Sequence, residues 1–259
     1  MAAALPRPAN AQEVTESSVE IETPDGTAEA HFAHPASGAH PGVLVWPDAF
    51  GLRPAFRQMG TRLAQSGYAV LTVNQYYRTA KVPVFPDNLD FGNPDDRARI
   101  MKQMQTLSPE TNVTDARAFV GWLDSQDAVD SGKKMGTTGY CMGGPMTMRT
   151  AAALPDRIGA GGSFHGGGLV TDQPNSPHRL VSNMDAHYLI AIAENDDAKE
   201  PDAKHELRKA FDAAGLPAEI EVYEGTLHGW CPPDAAVYHE EQAERAWSRL
   251  LATFEKALV

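Results

Sequence analysis

Lys134-Met135-Gly136-Thr137-Thr138-Gly139-Tyr140-Cys141-Met142-Gly143-Gly144 runs from a stretch read as a strand into a turn bracketed by glycines. Lys134 to Gly139 reads as the strand and Pro145 to Leu154 as a helix. Between them Gly139 to Gly143 has the form G-x-nucleophile-x-G. The residue at the centre of such a turn is held at strained backbone angles with its side chain exposed. The flanking positions must be glycine because a side chain there would meet the neighbouring strand or helix. Free N–H groups and the positive dipole end of the following helix favour a thiolate at that centre. The competing reading, a buried cysteine on a tight turn, is weighed by what lies on either side.

Towards the N-terminus, Val43 to Trp46 is an unbroken apolar run, the pattern of a strand covered on both faces. Phe56, Met59, Leu63 and Ala64 then recur at helical spacing from Pro54 to Gly67, and Tyr68 to Val73 is a second apolar strand, completing a βαβ unit. Ahead of it Val19 to Glu22, the turn Pro24-Asp25-Gly26-Thr27 and Ala28 to Ala33 predict an antiparallel hairpin. Tyr76 to Pro94 lacks a period and reads as an excursion over the surface, placed to shape a pocket. Helices follow at Pro94 to Leu107 and at Thr111 to Ser125, the second capped by Thr111 or Asn112. Towards the C-terminus the alternation continues with strands at Ile158 to Phe164, Tyr188 to Ala193 and Ala218 to Tyr223. Helices are expected at Pro201 to Ala214 and Ala235 to Leu258. The expected fold is α/β, a mostly parallel doubly wound sheet with an antiparallel N-terminal hairpin and helices on both faces. Residues 1–16 are read as a disordered tail and 17–259 as a single domain.

Composition narrows the partners. A net charge of −12 repels phosphate backbones and anionic lipid, and no apolar run is long enough to span a bilayer, which argues against nucleic acid and membrane. Two cysteines far apart in the chain make neither a disulfide framework nor a paired metal site, so a reducing, cytoplasmic setting is expected. No phosphate-cradling or dinucleotide glycine motif occurs, and the chemistry requires no cofactor and no metal. His31, His34 and His40 read as surface histidines. A small ester or lactone is the expected partner, with the assembly left open between monomer and homodimer.

An acid and a histidine follow Cys141 in the chain order nucleophile, acid, histidine. The acid is expected in Glu194-Asn195-Asp196-Asp197, read as a loop after a strand; Asp196 is preferred, with Asp197 next. His228 lies in Gly225-Thr226-Leu227-His228-Gly229-Trp230, directly after the last strand. An oxyanion hole needs two N–H donors: Met142 supplies one, and Ala49 in Pro47-Asp48-Ala49-Phe50-Gly51 is the expected other. His165-Gly166-Gly167-Gly168 copies a lipase oxyanion motif but follows the nucleophile instead of preceding it, so it reads as a glycine-rich loop with His165 lining the pocket. Asp48, Tyr140, Arg99 and Trp230 are placed with His165 in the pocket or directly behind it, and Cys231 reads as inert packing.

Together these residues resemble the dienelactone hydrolase family of α/β-hydrolases. The likeness runs from about Val19 to Leu258 through Thr23-Pro24-Asp25-Gly26, Pro47 to Gly51, Gly139 to Gly144, Asn195-Asp196 and His228-Gly229, with cysteine in the elbow as its most specific point. The resemblance implies the α/β-hydrolase fold and a carboxymethylenebutenolidase-type hydrolase with Cys141, Asp196 and His228 as triad and Ala49 and Met142 as oxyanion hole. It sets Asp48 where the family has a glutamate that contacts the nucleophile. Family members that open lactones hold a substrate carboxylate with arginines. Arg99 matches one of these, while Gly229 to Pro233 offers none after the histidine. A general carboxylesterase or thioesterase on the same triad and a non-catalytic binding protein are the alternatives.

Overall fold

The computed structural model describes residues 3–86 and 89–258. Eight strands form one sheet in the order β1-β2-β4-β3-β5-β6-β7-β8. They are β1 (Val14–Thr23), β2 (Gly26–Pro35), β3 (Gly42–Trp46), β4 (Ala69–Val73), β5 (Met135–Tyr140), β6 (Ile158–Phe164), β7 (His187–Ala193) and β8 (Ala218–Tyr223). β1, β2 and β4 pair antiparallel, and every pairing from β4 onward is parallel. The expected α/β-hydrolase architecture, hairpin included, is what the chain adopts.

The central strands are buried throughout because each faces two cores. In β3, Val43 and Val45 join a core with Phe56 and Leu63 of α1 (Pro54–Gln65) and Leu250 and Phe254 of the last helix. Leu44 and Trp46 point the other way, towards Phe119 and Val120, since successive side chains of a strand alternate faces. That second layer holds α3 (Pro109–Asp124), α4 (Gly143–Ala153) and α6 (Ala203–Ala214); α2 (Pro94–Met104) precedes α3 in the chain, α5 (Glu194–Lys199) precedes α6, and α7 (Glu240–Leu258) ends the chain's helices.

Several boundaries differ from the sequence reading, each for a local reason. Ser108, rather than Thr111 or Asn112, caps α3: its hydroxyl accepts from Thr111 N–H while the Thr111 hydroxyl accepts from Ser108 N–H. The reciprocal pair satisfies two end donors, so the helix starts at Pro109. Glu194 to Asp197, read as loop, opens α5, where acidic side chains suit the first turn. The last helix begins at Glu240 and not at Ala235. β1 begins at Val14, inside the stretch assigned to the tail; ahead of it Gln12 N–H donates to the Gln65 carbonyl and Leu5 packs on the α1 side. Met1, Ala2 and Val259 lie outside the described residues, as do Asp87 and Asn88 of the surface excursion. His31, expected at the surface, is buried with Nε2 3.0 Å from the Glu16 carboxylate, and burial lowers its pKa.

Candidate active site

The strand order reverses direction at β3: the chain goes outward to β4, then returns across β3 to β5. Such a reversal opens a crevice at the carboxyl ends of the strands. Pairing fixes what meets there. Trp46 is opposite Gly139, so the loop from Pro47 lies beside the turn at Cys141. Tyr140 is opposite Phe164, Phe164 opposite Ala191 and Ala193 opposite Tyr223, which brings the segments after β6, β7 and β8 to the same rim.

Cys141 is half-buried and adopts φ 55°, a left-handed conformation that costs a non-glycine residue about 1–2 kcal/mol. The elbow is held that way by contact. A methyl group on Gly139 would stand 2.1 Å from the Gly143 carbonyl oxygen, and one on Gly143 would stand 2.3 Å from that of Trp46. Both are backbone contacts, so the turn cannot yield by a rotamer change. Gly143→Ala is therefore expected to lower stability by about 3 kcal/mol or more, measured by denaturant unfolding, and to reduce turnover as the elbow leaves β3.

His228 Nδ1 lies 2.6 Å from Asp196 Oδ2, and Cys141 is the second group that acts on the charge of the ring. Burial by itself would lower the imidazole pKa, but the Asp196 carboxylate and Cys141 together outweigh it and raise it to about 10. Asp197 is turned elsewhere, both its oxygens 2.7 Å from Lys204 Nζ, so Asp196 is the carboxylate that meets the ring. Three consecutive residues at the start of α5 grip the histidine loop. Glu194 accepts from Gly225 N–H, Asn195 Oδ1 accepts from His228 N–H at 2.8 Å, and Asp196 takes the ring. The roles of Glu194 and Asn195 escaped the sequence reading, although their place beside Asp196 was a signal.

Among the described residues, neither Ala49 N–H nor Met142 N–H has an acceptor, which leaves both free for an oxyanion. Tyr76, unforeseen, braces both residues: its hydroxyl donates to the Ala49 carbonyl at 3.0 Å and lies 3.0 Å from the Met142 sulfur. Burial, with Asp48 and Cys141 adding to it, raises the Tyr76 pKa and keeps the hydroxyl a donor. Asp48 does not hold the thiol. Its carboxylate is bound bidentately by Arg53 at 2.7 and 3.0 Å and accepts from Phe50 N–H at 2.9 Å. Arg53 in turn reaches Asp234 at 2.6 and 2.9 Å, joining the Ala49 loop to the segment after His228. Burial opposes the guanidinium charge, but the two carboxylates more than compensate and raise its pKa.

The remaining expected pocket residues separate. His165, at φ 40°, is buried beneath the elbow: its Nδ1 accepts from Cys141 N–H at 3.1 Å, and its ring stands edge-on to His228 at 5.2 Å. Burial and the neighbouring His228 hold its pKa well below the ordinary value, so it serves as a neutral brace. Trp230 is fully buried, stacked on Tyr223 at 4.8 Å and edge-on to His165, and so it supports the brace without facing the crevice. Tyr140 points into the α1 and α7 core against Phe56 and Phe164. Its side chain follows the strand alternation away from that of Cys141, which removes it from the pocket. Arg99 is exposed on α2 and makes no ion pair or hydrogen bond among the described residues. Cys231 is buried, and burial pushes its thiol pKa up, consistent with packing.

The model of the dienelactone hydrolase family matches residues 28–258. A Salmonella typhi protein named putative carboxymethylenebutenolidase is 27% identical over 256 residues, covering 90% of each chain. Protein usf of Aquifex pyrophilus is 27% identical over 246 residues, covering 93% of this chain and 98% of its own. The crystal structure of a putative dienelactone hydrolase from Klebsiella pneumoniae superposes with a TM-score of 0.82 at 25% identity, over 95% of this chain and all of that one. With a family match that runs from β2 to the last helix and a shared fold, this chain belongs to the dienelactone hydrolase family.

Proposed function

We propose that the protein hydrolyses a small ester or lactone through a thioester on Cys141. The observation that carries this reading is the elbow cysteine at φ 55° facing His228, whose far ring nitrogen is 2.6 Å from Asp196. The Cys141 sulfur, its proton held by His228, attacks the carbonyl carbon, and the developing oxyanion is held by Ala49 and Met142 N–H. As the C–O bond breaks, protonated His228 gives its proton to the departing alkoxide, which in a lactone stays tethered to the acyl group. The elevated pKa of His228 suits this step.

The same residue must next act as a base, and acylation supplies the change. A thioester sulfur carries no charge, so one of the two groups that raise the His228 pKa is lost and the ring releases a proton more readily. Neutral His228 then takes a proton from water, hydroxide adds to the thioester, and Cys141 leaves. Asp196 keeps the ring oriented throughout. The relatives' name, carboxymethylenebutenolidase, favours ester or lactone cleavage over a binding role. Brief exposure to aryl esters and lactones followed by mass spectrometry is expected to show an acyl adduct on Cys141. Turnover without such an adduct, or an adduct on another residue, would overturn the assignment.

A further inference from the structure

We propose that the site selects substrates whose acyl portion carries no negative charge, an inference that rests on the thioester reading above. Arginines beside its loops are already committed to carboxylates. Arg53, beside the Ala49 loop, has all five N–H donors committed. Nε donates to Asp234, Nη1 to Asp48 and the Gly51 carbonyl, and Nη2 to Asp48 and Asp234. Its planar face is taken as well, lying over Phe50 at 5.4 Å and Phe56 at 4.9 Å.

Arg78, two residues beyond the Tyr76 that braces both oxyanion donors, repeats the arrangement. Nε donates to Asp25, Nη1 to Asp115 and Nη2 to both, with the guanidinium over the Tyr77 ring. Each arginine thus sits between two carboxylates and forms a group of net charge −1. Beside the triad, Lys199 pairs with Asp196 at 3.7 Å and Lys204 with Asp197. Lys81 and Arg99 are exposed, where water and salt screen them.

A substrate carboxylate would therefore have to displace a protein carboxylate from a guanidinium, exchanging one ion pair for another while paying its own desolvation. It would also enter the field of a chain with net charge −12. An uncharged acyl group meets neither obstacle. The arginines act as cross-links between loops instead of as anchors for an anion.

Monophenyl adipate and its terminal-carboxamide analogue have the same length and leaving group and differ by one charge, so they isolate the effect. The native protein is expected to turn over the carboxamide with kcat/KM higher by about tenfold or more at low ionic strength, the gap narrowing as salt is added. Asp234→Asn, which removes a negative charge and one of the two oxygens that Arg53 donates to on this side, is expected to narrow the gap at fixed salt, a ratio that partial loss of folded protein does not move. Equal or faster turnover of the carboxylate by the native protein, with acyl adducts on Cys141 from both, would overturn the charge selection and leave the thioester intact. A gap unchanged in folded Asp234→Asn would overturn the part assigned to Arg53. Turnover of both esters with no adduct on Cys141 would instead remove the reading on which the proposal rests.

Discussion

Replacing Cys141 with alanine is expected to lower kcat/KM on an activated ester by about 10⁴-fold or more while the protein stays folded. Alanine keeps the left-handed backbone that the turn demands, so it removes the sulfur and little else. Glycine at the same position separates chemistry from strain. Cys141→Gly is equally inactive, yet it relieves the penalty at φ 55° and is expected to raise stability by about 1 kcal/mol, or roughly 2–4 °C in Tm for a chain of this size. Thermal unfolding of the three proteins decides it. An active alanine variant would place the nucleophile elsewhere, and a glycine variant less stable than the native protein would mean that the elbow stores no strain.

The second large effect is expected at Asp196. Asp196→Asn leaves the size of the side chain intact but removes the carboxylate 2.6 Å from His228 Nδ1, so the ring loses both its tautomer and its charge partner. The expected loss in kcat is about 10⁴-fold. The His228 ring, followed by NMR, is expected to titrate near pH 10 in the native protein and to move towards the ordinary value of 6.5 in the variant. The sign of the stability effect follows. Because the folded pKa is raised above the unfolded one, protonated His228 contributes stability that is fully present below pH 6.5 and is lost as pH climbs through about 10. Asp196→Asn is expected to flatten that decline. A native ring that titrates near 6.5, or a variant with native turnover, would refute the arrangement.

Much of this site was legible beforehand, and the reason is locality. The elbow is written in five adjacent residues, because the two glycines answer contacts that the turn makes with its own helix and the strand beside it. Apolar runs such as Val43 to Trp46 announce strands covered on both faces, and the order of nucleophile, acid and histidine follows the order of the strands that carry them. Where the reading slipped, the cause was also specific. Tyr140, adjacent to Cys141, is expected in or behind the pocket, but strand alternation sends its ring into the opposite core. Asp48 and Arg99 were assigned by resemblance, whereas Asp48 is claimed by Arg53 and Arg99 faces solvent.

The amino-acid order by itself determined the α/β layering and pointed to Cys141 at the turn, to His228 and to an acid at Asp196 or Asp197, since each depends on periodicity or on neighbours along the chain. Only the tertiary structure decided that Asp196 and not Asp197 meets the ring, that Tyr76 braces Ala49 and Met142, and that Arg53 is spent between Asp48 and Asp234. These pairings join segments as distant as Arg53 and Asp234. They exist because strand register sets one loop against another, a relation that no local pattern records.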